Sequence, residues 1–299
     1  MSGLFNDFTD AFAKRNNGLV QIILINVIVF LLLIFAEVIL TLSGKTGIFL
    51  LIFDQLRLPS SLHELLLKPW TLITHFFTHR DIFHILFNML FFYWFGKLID
   101  EYLGNRRLIN LYILGGLAGA LAFLIIYNTI PYFQNQLGSM VHGASGAVYA
   151  VVVGAATLLP EYTFFLFLLG PVRIKYIAAF YVILSFIETI GSNAGGNIAH
   201  LGGALLGFIY IKQLQKGRDL GAPIDAIVNF FQNLFKKKER PPIKVTYRSQ
   251  NQKSYSNASP AGFPDEDEVD EILDKISKSG YESLTKEEKQ KLFRASQKQ

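Results

Sequence analysis

The chain has 299 residues, 51% of them hydrophobic and only 17% charged, with 27 phenylalanines and a mean hydropathy of +0.34. A soluble domain would struggle to hide that much aromatic and aliphatic surface, so membrane-spanning segments are expected. The absence of cysteine removes disulfides, thiolate nucleophiles and Cys-ligated metals; the formal net charge of +5 is modest, and no nucleic-acid partner is expected.

Residues 1–18 carry acids as well as Lys14 and Arg15, and no small-residue cleavage site follows the next apolar run. They read as a cytosolic N-terminal segment before a retained first span, not as a signal peptide. Six segments are expected to cross a bilayer, together forming a domain over residues 19–212. They run roughly over Leu19–Leu42, Ile82–Tyr102, Leu108–Tyr127, Ala144–Pro160, Ile174–Ile190 and Asn197–Lys212. A standard hydrocarbon core takes about 20 helical residues, so the fourth and sixth read as short.

The first loop, Ser43 to Asp81, holds apolar runs too interrupted to cross. They read as short helices lying in the outer interface, with Trp70 at headgroup level. Lys14, Arg15, Arg106, Arg107, Arg173, Lys175, Lys212, Lys216 and Arg218 fall on one side if the spans alternate. That bias puts both termini in the cytoplasm, and the expected location is a bacterial inner (plasma) membrane, crossed several times.

Residues 213–245 are amphipathic and then basic: Ile224, Ile227, Val228, Phe231 and Leu234 keep a helical rhythm ahead of KKKER. Residues 246–264, rich in Ser, Asn and Gln, read as a flexible linker. Residues 265–299 read as a small helical cytosolic module with an unidentified cytosolic partner. Its helices are placed near Val269–Lys278 and Lys286–Ala295, the second opened by a capping box of Thr285 and Glu288.

Polar side chains within spans are costly unless satisfied, so each is a candidate functional residue. His84 and Asn88 lie four apart near the outward end of the second span, hence on one helix face. Ser145 opens the fourth span, and His200 lies four residues into the sixth, again from the outward side. Alternating topology puts all of them at a similar shallow depth. A histidine can activate a serine hydroxyl by taking its proton, and Asn88, His84 and the backbone N–H of Ser145 offer donors for an oxyanion. No buried Asp or Glu stands out as a third member, but Tyr149, one turn after Ser145, could pack against the His200 ring.

Each residue also has a bland role. Ser145 sits between Ala and Gly, where a serine serves helix packing; His200 could be a packed histidine, and Asn88 interhelical glue. No HExxH motif or acidic partner at ligand spacing supports a metal at His75, His79 and His84, and no cofactor is expected. Ala199, Gly203 and Gly207 repeat every four residues and permit close approach to a slim partner, with Ala144, Ala147 and Gly154 of the fourth span as the expected counterpart.

The chain resembles the rhomboid family of intramembrane serine proteases over about Leu19 to Lys212. The resemblance rests on His84 followed four residues later by Asn88, on HGASGAVYA with Gly143, Ser145 and Gly146, and on NIAHLGGALLG with His200, Gly203 and Gly207. It implies an all-α, six-helix transmembrane bundle with Ser145 as nucleophile and His200 as base. It further implies an oxyanion hole from His84, Asn88 and the Ser145 backbone, a pocket shaped by Gly143, and Tyr149 stacked on His200. Trp70-Thr71 stands where many relatives carry Trp-Arg, and Asp100 where many carry Glu four before a glycine; both positions read as structural. The implied reaction is hydrolysis of the transmembrane segments of single-span or multi-span proteins in the lipid bilayer, near their outward end. The competing expectation is a non-catalytic rhomboid-like protein that binds such segments and escorts or retains them.

Overall fold

The computed structural model describes residues 17–166, 170–235 and 266–296, in two units divided after Gly221. Nearly all of the N-terminal segment, the KKKER run and the linker at 246–264 lie outside the described residues.

The first unit opens with α1 (Gly18–Leu42). The first loop then forms α2 (Thr46–Asp54), α3 (Leu62–Leu67), α4 (Thr71–Thr74) and a 3-10 turn at His75–Phe77, so the expected short helices are there. Phe49 and Phe53 of α2 are buried with Leu33 of α1, and the Arg80 guanidinium lies 5.4 and 5.6 Å from their ring centroids while pairing with Glu37 at 2.5 Å. Trp70 is half exposed, with its indole N–H donating to the Gln55 carbonyl at 2.8 Å.

Next come α5 (Ile82–Leu103) and α6 (Asn105–Thr129), joined at Gly104, whose φ of +87° only glycine adopts without strain. The short α7 (Pro131–Gln134) leads to α8 (Ser145–Leu158), and α9 (Ile174–Ile187) and α10 (Ala194–Gln215) complete the unit.

Among the described residues, α1, α5, α6 and α10 are long and apolar enough to cross a membrane. The sixth expected span is therefore not short. Its Gly-rich first turn reads as a breaker in sequence, but Gly195 fits against Phe123 and Val141, where a Cβ would come within 2.8 Å of both side chains. The two short helices are α8 and α9, of 14 residues each, about 21 Å at 1.5 Å per residue.

The described residues are mostly helical, as expected, with two short antiparallel ladders between the helices. β1 (Leu58–Pro59) pairs antiparallel with β2 (Met140–Val141), tying the first loop to the approach to α8. β3 (Thr163–Leu166) pairs antiparallel with β4 (Gly170–Arg173) between α8 and α9, with Thr163 opposite Arg173. Four residues are too few to show a period of two, and β4 contains Gly170 and Pro171, so the sequence hides the ladder. Glu161 beside this ladder pairs with Lys175 and with Arg173 at 2.9 Å, and these cations hold its carboxyl below the usual range.

Buried α8 is the centre of the unit, packed on α5, α6 and α10. Glycine sets the spacing. A Cβ on Gly203 would lie 1.9 Å from the Gly146 carbonyl oxygen, and one on Gly207 2.2 Å from that of Ala150. The slim seam of α8 therefore runs Gly146, Ala150 and on to Gly154. Ala147, expected on it, lies against Gly115 of α6, as does the side chain of Ala150, whose backbone faces α10.

The second unit contains α11 (Ala222–Phe235), α12 (Glu266–Ser279) and α13 (Lys286–Ser296). The expected capping box is present: Thr285 N–H donates to the Glu288 carboxylate at 2.7 Å, and Glu288 N–H to Thr285 Oγ1 at 3.3 Å. Lys275 with Glu288 (2.8 Å) and Lys291 with Glu268 (3.0 Å) bridge α12 to the α13 helix.

Candidate active site

Asp81 starts the site. Its carboxylate accepts the His84 N–H at 2.8 Å, capping α5 so that His84 falls in the first turn and Asn88 one turn further. The next contribution is the chain before α8. Gly143 has φ +115°, and a Cβ there would lie 2.5 Å from His84 Cε1, so glycine is required both for the backbone and for the imidazole beside it. The Gly143 N–H donates to the His75 carbonyl at 2.8 Å. Ser145 is then the first residue of α8, and no side chain caps this helix terminus. Uncapped N–H groups and the positive end of the helix dipole accumulate there.

The glycine contacts between α8 and α10 bring His200 to the same point. His200 Nε2 lies 2.7 Å from Ser145 Oγ. The Tyr149 ring stacks on the imidazole at 4.3 Å between centroids and 9° between planes. Ser145, His200, His84, Asn88 and Tyr149 all line one cavity of about 490 Å³, with walls from α5, α8, α9 and α10 and Phe83, Phe87 and Phe91 supplying much of its apolar surface. Every side chain expected at the site borders this cavity, and Gly143 touches it through His84.

Two residues were not singled out from sequence as parts of the site. His79 Nε2 accepts from the Ala144 N–H at 3.1 Å and from Asn88 Nδ2 at 3.2 Å. That nitrogen therefore carries no proton, and one imidazole holds both Asn88 and the residue preceding Ser145. Burial first, then the His84 and His142 rings, push the His79 imidazole down to about 3, so it stays neutral. An Asn amide has two protons, and His79 takes one of those on Asn88. The second residue is Ser185 of α9, buried, with Oγ 3.1 Å from His200 Nδ1. The signal for His79 was there, a histidine shortly before the His84–Asn88 pair, but it sits outside regular helix where spacing fixes no direction. Ser185 left no signal, because nothing in sequence fixes the rotation of α9.

Among the described residues, no cluster of three or more His, Asp or Glu has a geometry that could hold a metal. The arrangement has the parts that acyl transfer requires: a hydroxyl within hydrogen-bond reach of an imidazole, next to a helix N-terminus, in a largely apolar cavity.

Comparison with known proteins covers the part of the chain that holds this cavity. The Rhomboid domain family matches residues 67–216, and a family of unknown function (DUF6576) matches residues 264–298. RHOMBOID-like protein 12, mitochondrial, of Arabidopsis thaliana is 37% identical over 161 residues, covering 50% of this chain and 47% of the relative. Rhomboid-like protein 16, chloroplastic, of the same plant is 30% identical over 162 residues, covering 50% of each. Rhomboid protease GlpG of Haemophilus influenzae is 32% identical over 154 residues, covering 48% of this chain and 68% of the relative. The chain thus spans about half the length of the two plant relatives. Their names place those two in organelles, so the comparisons do not support the expected bacterial inner membrane. With the Rhomboid domain over half its length and four helices able to cross a bilayer, the chain is a multi-pass integral membrane protein and belongs to the rhomboid family.

Proposed function

We propose that the chain is an intramembrane serine endopeptidase that cleaves transmembrane segments of other membrane proteins. The observation that carries this reading is the 2.7 Å contact between Ser145 Oγ and His200 Nε2, made across two helices that meet through glycine. An isolated serine hydroxyl is a poor nucleophile near neutral pH. With His200 as base, its proton moves to Nε2 as Oγ attacks the scissile carbonyl, and the same proton later goes to the leaving amine. The developing oxyanion is met by the Ser145 N–H, the free amide proton of Asn88 and the His84 ring N–H. Gly143 keeps room for His84, and Tyr149 fixes the plane of His200. A helical substrate hides its scissile carbonyl in an i→i−4 bond, so it must unwind locally, and Gly or Pro in its span lowers that cost.

In this reading six helices traverse the membrane. Buried α8 needs no lipid-facing length, and α9 crosses a locally thin region. Arg106, Arg107, Arg173, Lys175 and Lys212 then lie on the cytoplasmic side with both termini, and the site opens near the opposite surface. Residues 19–212 form the catalytic domain, followed by the juxtamembrane segment 213–245, the linker 246–264 and the cytosolic module 265–299.

The test is fluorophosphonate labelling of the purified protein, together with cleavage of a reporter transmembrane segment. Wild type is expected to label and cleave, and Ser145→Ala to do neither. If wild type captures the segment but neither labels nor cleaves, the protein is a binder and the enzyme reading fails.

A further inference from the structure

The contact between Ser145 and His200 leaves one question open: what holds the imidazole in the tautomer that a base requires? Nε2 must be free to take the Ser145 proton, so Nδ1 must carry the ring's own proton and give it to an acceptor. In the Ser-His-Asp arrangement a carboxylate does this. Among the described residues, no carboxylate is hydrogen-bonded to His200; its Nδ1 faces Ser185 Oγ at 3.1 Å.

A serine hydroxyl can donate or accept, so its own partner decides. Ser185 donates to Tyr149 Oη at 2.8 Å, and Tyr149 Oη–H donates in turn toward the Tyr181 carbonyl at 3.4 Å. A backbone carbonyl has no proton to give. Followed back from it, each group has one consistent role: Tyr149 donates to Tyr181, Ser185 to Tyr149, and His200 Nδ1–H to Ser185. Nε2 is left as the acceptor facing Ser145. Ser185 is also buried, which keeps water from replacing it as the acceptor.

We propose that Ser185 is the positioning residue of the dyad. It selects the Nδ1–H tautomer of His200, and its lone pair faces the imidazolium that forms when Ser145 gives up its proton. This rests on the proposed role of Ser145 and His200. It gives Tyr149 a second task besides stacking, since it must take the Ser185 proton for Ser185 to accept.

The experiment uses the full-length protein in lipid nanodiscs with a reporter transmembrane segment. Ser185→Ala is expected to lower kcat about tenfold or more with KM little changed, because the lost bond sets the tautomer of the base and faces the imidazolium without touching the substrate. Ser185→Thr and Ser185→Val form a matched pair of nearly equal shape: Thr keeps the hydroxyl and most of the rate, while Val loses as much as Ala. In ¹⁵N-histidine spectra of the resting protein, His200 is expected as the Nδ1–H form in wild type, shifting toward Nε2–H in the Val variant. Ala and Val variants with wild-type kcat and unchanged His200 shifts overturn the proposal, as do equal losses in Thr and Val, which would make Ser185 a packing residue. Wild-type protein that neither cleaves nor labels sinks the enzyme reading itself, which is a different outcome from active wild type with indifferent Ser185 variants.

Discussion

Helices α8 and α9 have the same length, 14 residues, and both are apolar, yet they do opposite work. Ten residues of α8 are buried and only three of α9, namely Ile174, Ala178 and Ser185. The difference lies in side-chain size. Gly146, Ala150 and Gly154 let α10 close against α8 until backbone meets backbone. By contrast α9 carries Tyr176, Phe180, Ile183, Phe186 and Ile187, which stand off the bundle and remain exposed. Small residues make a rigid seam and large ones a lipid-compatible rim. The Ser145–His200 pair sits on the seam, and the rim helix reaches it through the Ser185–His200 and Tyr181–Tyr149 hydrogen bonds.

That contrast can be broken at several points. The largest effect is expected at the chemistry. Ser145→Ala should reduce cleavage of a reporter segment on the order of 10⁴-fold or more while leaving thermal unfolding in detergent unchanged. Gly203→Val comes next, since its side chain would need the space of the Gly146 carbonyl; a loss of about 3 kcal/mol is expected in denaturant titration, with activity falling alongside. Gly143→Ala should cost about 10²-fold in kcat by displacing His84, and about 1–2 kcal/mol in unfolding because of the positive φ. The smallest effect belongs to the rim: Phe180→Ala should alter unfolding by no more than about 0.5 kcal/mol. If Phe180→Ala destabilises as much as Gly203→Val, the division into seam and rim is wrong.

The same division explains what could be read in advance. Ser145, His200, His84 and Asn88 stood out because each is a polar residue in an apolar stretch, and alternating spans put them at one depth. The glycine repeat on α10 was equally legible, since close approach depends on size alone. What it met was not: several slim residues were available on α8, and only packing shows that Gly203 and Gly207 meet the Gly146 and Ala150 carbonyls while Ala147 and the Ala150 side chain lie against Gly115 of α6. Ser185 stayed hidden among Ile, Leu and Phe because its meaning depends on the rotation of α9, which periodicity leaves free when most of the helix is apolar. The strands β3 and β4 escaped for a related reason. β3 is too short to show a period of two, and β4 carries Gly170 and Pro171, which argue against a strand, so only their pairing selects the extended form.

Close backbone contact at Gly203 and Gly207 also bears on how such a chain can diverge. On α10, Leu205, Phe208 and Ile209 are exposed within a few residues of positions where even one extra carbon collides with a carbonyl. A comprehensive substitution library of this helix should therefore give a fitness trace with helical period, permissive on one face and closed on the other. Drift can rewrite the outer face to suit membranes of different composition while the inner face keeps its spacing to a few tenths of an ångström.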